Sequence, residues 1–122
     1  MLEIKKLSNK DIKKNIIEKR LHLTKLSFLK QNLDQIIDNR AAFIDNVIIG
    51  YVVIFVNAEI NWLACYISKN FRRMGIAKKL IHDLCPNGID ECHIDDYSSK
   101  QREEFWNAIR ESYKTSEKNG VF

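Results

Sequence analysis

Apolar and polar positions alternate along this chain in two different rhythms. Leu2 to Leu7 alternates weakly, as a first strand would. Ser8-Asn9-Lys10-Asp11 then has the form of a helix start, a short hydroxyl residue followed three positions later by a carboxylate. Ile12, Ile16, Leu23, Leu26, Leu33 and Ile37 follow at helical spacing. They predict a helical region to about Asp38, as one helix or as two broken near Leu21 to Thr24. Ala41 to Ile44 is short and apolar, and Asp45-Asn46 reads as a turn. Val47 to Val56 is dense in β-branched and aromatic residues and predicts a long central strand, which makes a hairpin with the segment before it.

A second turn at Asn57-Ala58 leads into a strand over Glu59 to Ile67. After Ser68 to Phe71 comes Arg72-Arg73-Met74-Gly75-Ile76-Ala77, and then a helical run to about Leu84 that Pro86-Asn87-Gly88 stops. Ile89 to Tyr97 predicts another strand. Ser98-Ser99 caps a last helix from about Lys100 to Tyr113, with Phe105, Ile109 and Tyr113 on one face. The tail, Lys114 to Phe122, reads as a short strand or a frayed end. The order β, α (one or two), β, β, β, α, β, α predicts an α/β fold, a mixed central sheet flanked by helices.

The length of 122 residues fits one domain over residues 1–122, and 45% hydrophobic residues suffice for a core. No apolar run approaches the roughly 20 residues that span a bilayer, and the N-terminus lacks a signal-like segment, so no membrane contact and a cytoplasmic location are expected. The odd cysteine count, Cys65, Cys85 and Cys92, predicts reduced thiols. Cys85, Cys92, His93 and Asp95 lack the C-x-x-C spacing of a metal site, and no metal is expected. The net charge of +4 is concentrated early, from Lys5 to Lys30. Lysines spread around a helix without interleaved aromatic residues read as a solvated face in preference to a nucleic-acid surface.

The chemistry-bearing feature is the strand–loop–helix around Gly75. Backbone N–H groups at a helix start are unpaired, and the helix dipole favours an anion there. A basic loop with a glycine at that point predicts a phosphate-bearing ligand.

On these residues the chain resembles the GNAT superfamily of N-acetyltransferases. Their signature is Arg or Gln, two residues, Gly, one residue, then Gly or Ala; here it is Arg72 to Ala77. The preceding hairpin, the strand Glu59 to Ile67 and Phe71 before the arginine also match, and the likeness runs over about residues 2 to 113. The resemblance implies the GNAT-like (acyl-CoA N-acyltransferase) fold and acetyl-coenzyme A as cofactor. It implies that Arg72, Arg73, Met74, Gly75, Ile76 and Ala77 hold the pyrophosphate, and that Cys65, Tyr66 and Ile67 pair with the pantetheine arm in a slot between the strands Glu59–Ile67 and Ile89–Tyr97. Ser99 and Trp106 would also face the cofactor. Trp106 stands where many relatives have a tyrosine, and an indole donates a hydrogen bond but is no acid at neutral pH.

The implied reaction is direct acetyl transfer to a primary amine of a small molecule or a protein. Glu59 is the expected base, directly or through a water; Asn61 fits the commonest position of the family's glutamate better, and Tyr97 is the substitute acid. A cysteine step through Cys65 is not needed. The acceptor side is either open or completed by a second subunit in a homodimer. Two rival readings remain: a catalytically degenerate acyl-coenzyme A binding module of the same fold, and a basic nucleic-acid-associated domain.

Overall fold

The computed structural model describes residues 1–18, 28–95 and 100–119. Strands β1 (Leu2–Lys5), β2 (Ile36–Ile44), β3 (Val47–Asn57), β4 (Ile60–Ile67) and β5 (His93–Ile94) form one sheet in that spatial order. The first four are antiparallel, and β5 pairs parallel to β4. Helix α1 (Asn9–Glu18) lies after β1, α2 (Ile76–Leu84) between β4 and β5, and α3 (Lys100–Asn119) after β5.

The sheet separates two apolar layers, as strand alternation requires. Leu63 and Ile67 of β4, with Ile49 and Val52 of β3, join Leu80, Ile81 and Leu84 of α2 and Trp106 and Ile109 of α3. Tyr51, Val53, Phe55 and Ala64 join Ile12 and Ile16 of α1 and Leu29 on the other layer. The expected helix start is present: the Asp11 N–H donates to Ser8 Oγ at 3.0 Å. Three of the early lysines are engaged with acids. Lys5 pairs with Glu3, Lys6 with Asp38 and Lys13 with Asp34.

Three expectations are corrected. The helical region does not reach Asp38. Leu33–Gln35 is a 3₁₀ turn and Ile36 already belongs to β2, which is nine residues long instead of the short Ala41–Ile44. Spacings of three and four residues between Leu33, Ile36 and Ile37 suit a helix and a strand end equally, and the long partner strand β3 decides the matter by pairing Ile36 with Phe55. Residues 19–27, which carry the middle of the expected stripe, lie outside the described residues.

Of the strand expected over Ile89–Tyr97, only His93–Ile94 are strand among the described residues, and Asp96 and Tyr97 lie outside them. Gly88, at φ +117, and the turn bond from the Cys92 N–H to the Ile89 carbonyl occupy its first part. The last helix runs past Tyr113 to Asn119, where a short strand or frayed end was expected.

Both hairpin turns have two central residues with positive φ, the geometry that matches strand twist. Asp45 and Asn46 (φ 50° and 65°) suit it, whereas Ala58 and Glu59 (φ 53° and 63°) are strained. Asn39 is fully buried in β2, where it takes the Leu7 N–H on Oδ1 (3.0 Å) and donates Nδ2 to the Leu7 carbonyl (2.8 Å). Its side chain supplies the ladder partner that β1 would otherwise lose at its last turn toward α1.

Candidate functional site

The site lies where β4 ends and α2 begins. β4 is held on one side by the full ladder with β3, from Ile60 opposite Asn57 to Ile67 opposite Gly50. On its other side β5 touches it only at Trp62 and Leu63, and the Asp95 N–H closes that contact on the Leu63 carbonyl at 2.9 Å. Among the described residues, Ala64 to Ile67 have no ladder partner on that side. Residues 96–99, which would bound the expected slot on that side, lie outside the described residues.

Gly50 lets β4 reach this position. A Cβ there would stand 2.6 Å from Ile67 Cδ1 and 2.7 Å from the Tyr66 carbonyl oxygen, so a side chain would lift the end of β4 off the sheet. Past Ile67, the Ser68 N–H returns to the Ile49 carbonyl at 2.7 Å and the chain makes a 3₁₀ turn over Lys69–Phe71.

The loop itself is strained in a specific way. Arg73 and Gly75 both have positive φ, 64° and 75°, on either side of Met74. For arginine this conformation costs on the order of 1–2 kcal/mol. Residues bent in this way aim successive N–H groups into one concavity, which suits an anion. Gly75 is the N-cap of α2, with no side chain bonded over the helix end, and the first helical bond runs from the Lys79 N–H to the Gly75 carbonyl. An ideal Cβ on Gly75 meets no atom within 4 Å. The space above the helix start is open. Arg73, Met74 and Gly75 are exposed there. Arg72 acts inside the loop: its Nε–H donates to the Ile67 carbonyl at 2.8 Å, and its guanidinium lies over Tyr66, 5.6 Å from the ring centre. The two arginines thus have different parts. Arg72 fastens the loop to β4, and Arg73 presents charge.

The expected cofactor residues Cys65, Tyr66, Ile67 and Arg72 to Ala77 come together at this end of β4. Ile67 and Ile76 are buried in the α2–α3 layer, with Cys65 packed against it. Burial pushes the Cys65 thiol up to about 12 in spite of Arg102. A thiol with so high a pKa stays protonated at neutral pH and is a poor nucleophile. Trp106 is 1% exposed in the same layer, edge-on to Phe105, and its indole Nε1 is a buried donor without a partner among the described residues. An orphaned donor, an unpaired strand segment and an open, strained helix start all fit the pantetheine and pyrophosphate of coenzyme A. Tyr97 and Ser99 lie outside the described residues.

The expected catalytic pair is elsewhere. Glu59 is exposed in the turn before β4, and Asn61 is exposed near the strand's start. At about 3.3 Å per residue, Glu59 stands roughly 26 Å along the strand from Ile67. The structure adds a carboxylate that the sequence reading treated only as an unsuitable metal ligand. Asp95 is 4% exposed, stands where β5 leaves β4, and accepts the Leu29 N–H on Oδ2 at 3.1 Å. Its field is felt by the buried Tyr51, whose hydroxyl is shifted strongly upward, first by burial and then by Cys65 and Asp95. Only its place directly after an apolar strand hinted at burial. Among the described residues no group of Cys, His, Asp or Glu forms a metal centre, and no helix is long and apolar enough to cross a membrane.

The mixed five-stranded sheet with helices packed on it places the chain among α/β folds, and comparison with known proteins identifies which one. The Acetyltransferase (GNAT) family profile matches residues 4–94. The chain belongs to the GNAT acetyltransferase family. Solved structures with the same fold include an aminoglycoside acetyltransferase from an uncultured soil metagenomic sample, at 22% identity and a TM-score of 0.57 over 89% of this chain and 87% of that one. A GNAT family protein from Streptococcus pneumoniae shares 16% identity, with a TM-score of 0.60 over 89% and 86%. AAC(6')-Iy, solved with a bisubstrate analogue of coenzyme A and acetylneamine, shares 17%, with a TM-score of 0.58 over 89% of each chain. No curated protein sequence matches the chain.

Proposed function

We propose that this protein is an acetyl-coenzyme A-dependent N-acetyltransferase that acts in the cytoplasm on a primary amine. The observation that carries this reading is the loop at Arg73–Gly75. A strained backbone over an open helix N-terminus, beside the unpaired end of β4, is suited to holding a pyrophosphate with an extended arm. Coenzyme A supplies the activated acetyl group. The chain's own residues hold its phosphates at Arg73 to Ala77 and align its arm along Cys65 to Ile67.

The acceptor arrives as an ammonium, with a pKa near ~10.4 if it is lysine-like, and must lose a proton before it can attack. Bound acetyl-coenzyme A would supply the acetyl group to the neutral amine, and Tyr97 is the candidate acid for its thiolate. Two carboxylates flank β4. Glu59, with Asn61 beside it, is exposed and would act through a water relay. Asp95 stands beside Leu63 of β4 and would act on the amine or its water from the α1 side of the sheet. Tyr97 keeps its expected part as a donor to the leaving group, and Ser99 its part at the arm.

A second reading, a coenzyme A binding module without transferase activity, has one observation in its favour: the last helix offers Phe105 and a buried Trp106 where a hydroxyl acid would serve. The first experiment is thermal shift with coenzyme A and with a DNA or RNA oligonucleotide; stabilisation by the coenzyme alone is expected. Thiol release from acetyl-coenzyme A is then followed across amines, beginning with aminoglycosides such as sisomicin and with peptides bearing an N-terminal alanine. Release above the uncatalysed rate for at least one amine is expected. Cofactor binding with no release for any amine selects the second reading.

A further inference from the structure

A cleft opens at the outer edge of the sheet, where β5 begins. It measures about 360 Å³ and is lined by Trp62, Asp90, Cys92, His93, Ile94 and Arg110. β5 is the last strand of the sheet, and the cleft wraps around it: Trp62 packs on the α1 layer, whereas Cys92 and Ile94 belong to the α2–α3 layer. The Trp62 and His93 rings meet at 5.1 Å and 55°, and the indole Nε1 donates to the Asn57 carbonyl at 3.4 Å. The turn bond from the Cys92 N–H to the Ile89 carbonyl sets Asp90 at a corner that the buried Ile89 anchors. Arg110 follows the buried Ile109 on α3 and is half-buried itself. Among the described residues Asp90 has no ion-pair partner, and Arg110 makes one long hydrogen bond, from Nη1 to Asn107 Oδ1 at 3.3 Å. The cleft therefore offers a carboxylate and a guanidinium, not joined to each other, across an aromatic and apolar wall.

We propose that this cleft seats the acceptor, and that the acceptor is an α-amino acid with an apolar or aromatic side chain. The proposal rests on the coenzyme A reading above and adds to it the substrate class. In that reading the arm lies along Cys65 to Ile67 with its phosphates at the loop, so its acyl end points toward Trp62, three strand residues or roughly 10 Å beyond Cys65. An ammonium group suits Asp90 and the face of the Trp62 indole, because a carboxylate and an aromatic face both attract a cation. A carboxylate suits Arg110, whose planar fork takes two oxygens at once. One guanidinium balances one carboxylate. A phosphate would bring a second negative charge toward Asp90, and a polyamine would meet Arg110 as a like charge. Burial, with Glu91 beside it, pushes the Cys92 thiol up, so Cys92 and Ile94 give the side chain a neutral wall. The volume lies at the small end of ligand pockets, which suits a single amino acid. In sum, amino acid and acetyl thioester give the N-acetyl amino acid, the free thiol and one proton.

The test titrates the full ¹⁵N-labelled chain, saturated with coenzyme A, with L-phenylalanine and with L-phenylalanine amide, which lacks the carboxylate. The only two tryptophans, Trp62 and Trp106, give two indole N–H signals, and Trp62→Phe assigns them. L-Phenylalanine should move the Trp62 signal and leave that of Trp106 in place. The amide should bind about tenfold more weakly. Arg110→Gln should weaken L-phenylalanine about tenfold and leave the amide within about twofold, whereas Asp90→Asn should weaken both. Thiol release from acetyl-coenzyme A should then favour L-phenylalanine over its amide and over sisomicin by about tenfold or more in kcat/KM. Three results overturn the proposal alone while coenzyme A still moves the backbone amides of Arg73 to Ala77: L-phenylalanine leaves the Trp62 indole in place, Arg110→Gln weakens acid and amide alike, or L-phenylalanine binds and is not acetylated. If coenzyme A moves none of those amides, the cofactor reading itself falls and the acceptor role of the cleft with it.

Discussion

The two ends of β4 are built to opposite rules. At its start, Ile60 and Asn61 are exposed, a strained two-residue turn precedes them, and the strand is paired to β3. At its end, Leu63, Ala64 and Ile67 are buried, and a glycine on β3 clears room for Ile67 and the Tyr66 carbonyl. The exposed end is an ordinary hairpin edge that tolerates many sequences. The buried end runs into a loop with positive φ at Arg73 and Gly75 and an open helix start. Natural folds keep such defects where a ligand completes them. The contrast gives a physical reason to look for a bound anion at the end of β4 and no comparable reason at its start.

Four substitutions or conditions can break or sharpen this contrast. Gly75→Glu should have the largest effect. It puts a carboxylate at the helix start, where the N–H groups await an anion, and should weaken coenzyme A at least ~100-fold by calorimetry while the protein remains folded. Retained affinity would show that the pyrophosphate lies elsewhere. Gly50→Val should come next. Its side chain meets the Tyr66 carbonyl and Ile67 at less than contact distance, so unfolding free energy in urea should fall by about 2–3 kcal/mol, with coenzyme A affinity falling alongside. An unchanged midpoint would mean that the end of β4 is freer than its ladder implies.

At the exposed end the sign should reverse. Ala58→Asn with Glu59→Gly gives the turn the residues its positive φ values favour, and should stabilise the protein by about 1 kcal/mol. The same double variant removes Glu59. If acetyl transfer collapses while stability rises, Glu59 is the base; unaltered transfer, with loss in Asp95→Asn, passes the role to Asp95.

The smallest effect concerns pH. His82 stacks on Tyr113 at 4.0 Å, and burial together with Lys78 lowers its pKa below 6.5. The unfolded chain then binds the proton more readily than the fold does. This contribution to stability is whole above pH 6.5 and is lost as the pH falls through the window below it. Urea midpoints at pH 5 and pH 7.5 should differ by less in His82→Phe than in the parent, and an equal difference would remove the assignment.

Much of this was legible in the sequence because the determining signals are local. Asp45-Asn46 demands a turn, Val47 to Val56 can only be a strand, and the glycine after two arginines marks the helix start whatever surrounds it. The misread parts depend on partners far along the chain. Ile36 and Ile37 extend β2 because β3 is long enough to receive them. The residues before His93 remain turns because Gly88 and the Ile89–Cys92 bond hold them off the sheet. The same limit applies to the site. Arg72 to Ala77 form a contiguous string and could be found by reading. Asp95 and the indole of Trp106 gain meaning only from what encloses them, and no spacing along the chain announces burial of a single polar atom.

The brevity of β5 has a consequence for how the molecule assembles. β2, β3 and β4 are neighbours in sequence, joined by two-residue turns, and can zip together through short loops. Among the described residues β5 meets β4 at two residue pairs separated by about thirty positions in the chain, so this pairing is expected to form late. Amide hydrogens at Ile94 and Asp95 should exchange far sooner than those at Val52 and Val53, and coenzyme A should slow the former selectively. A ligand filling that seam would act as the missing length of strand, finishing the assembly of the fold that recognises it.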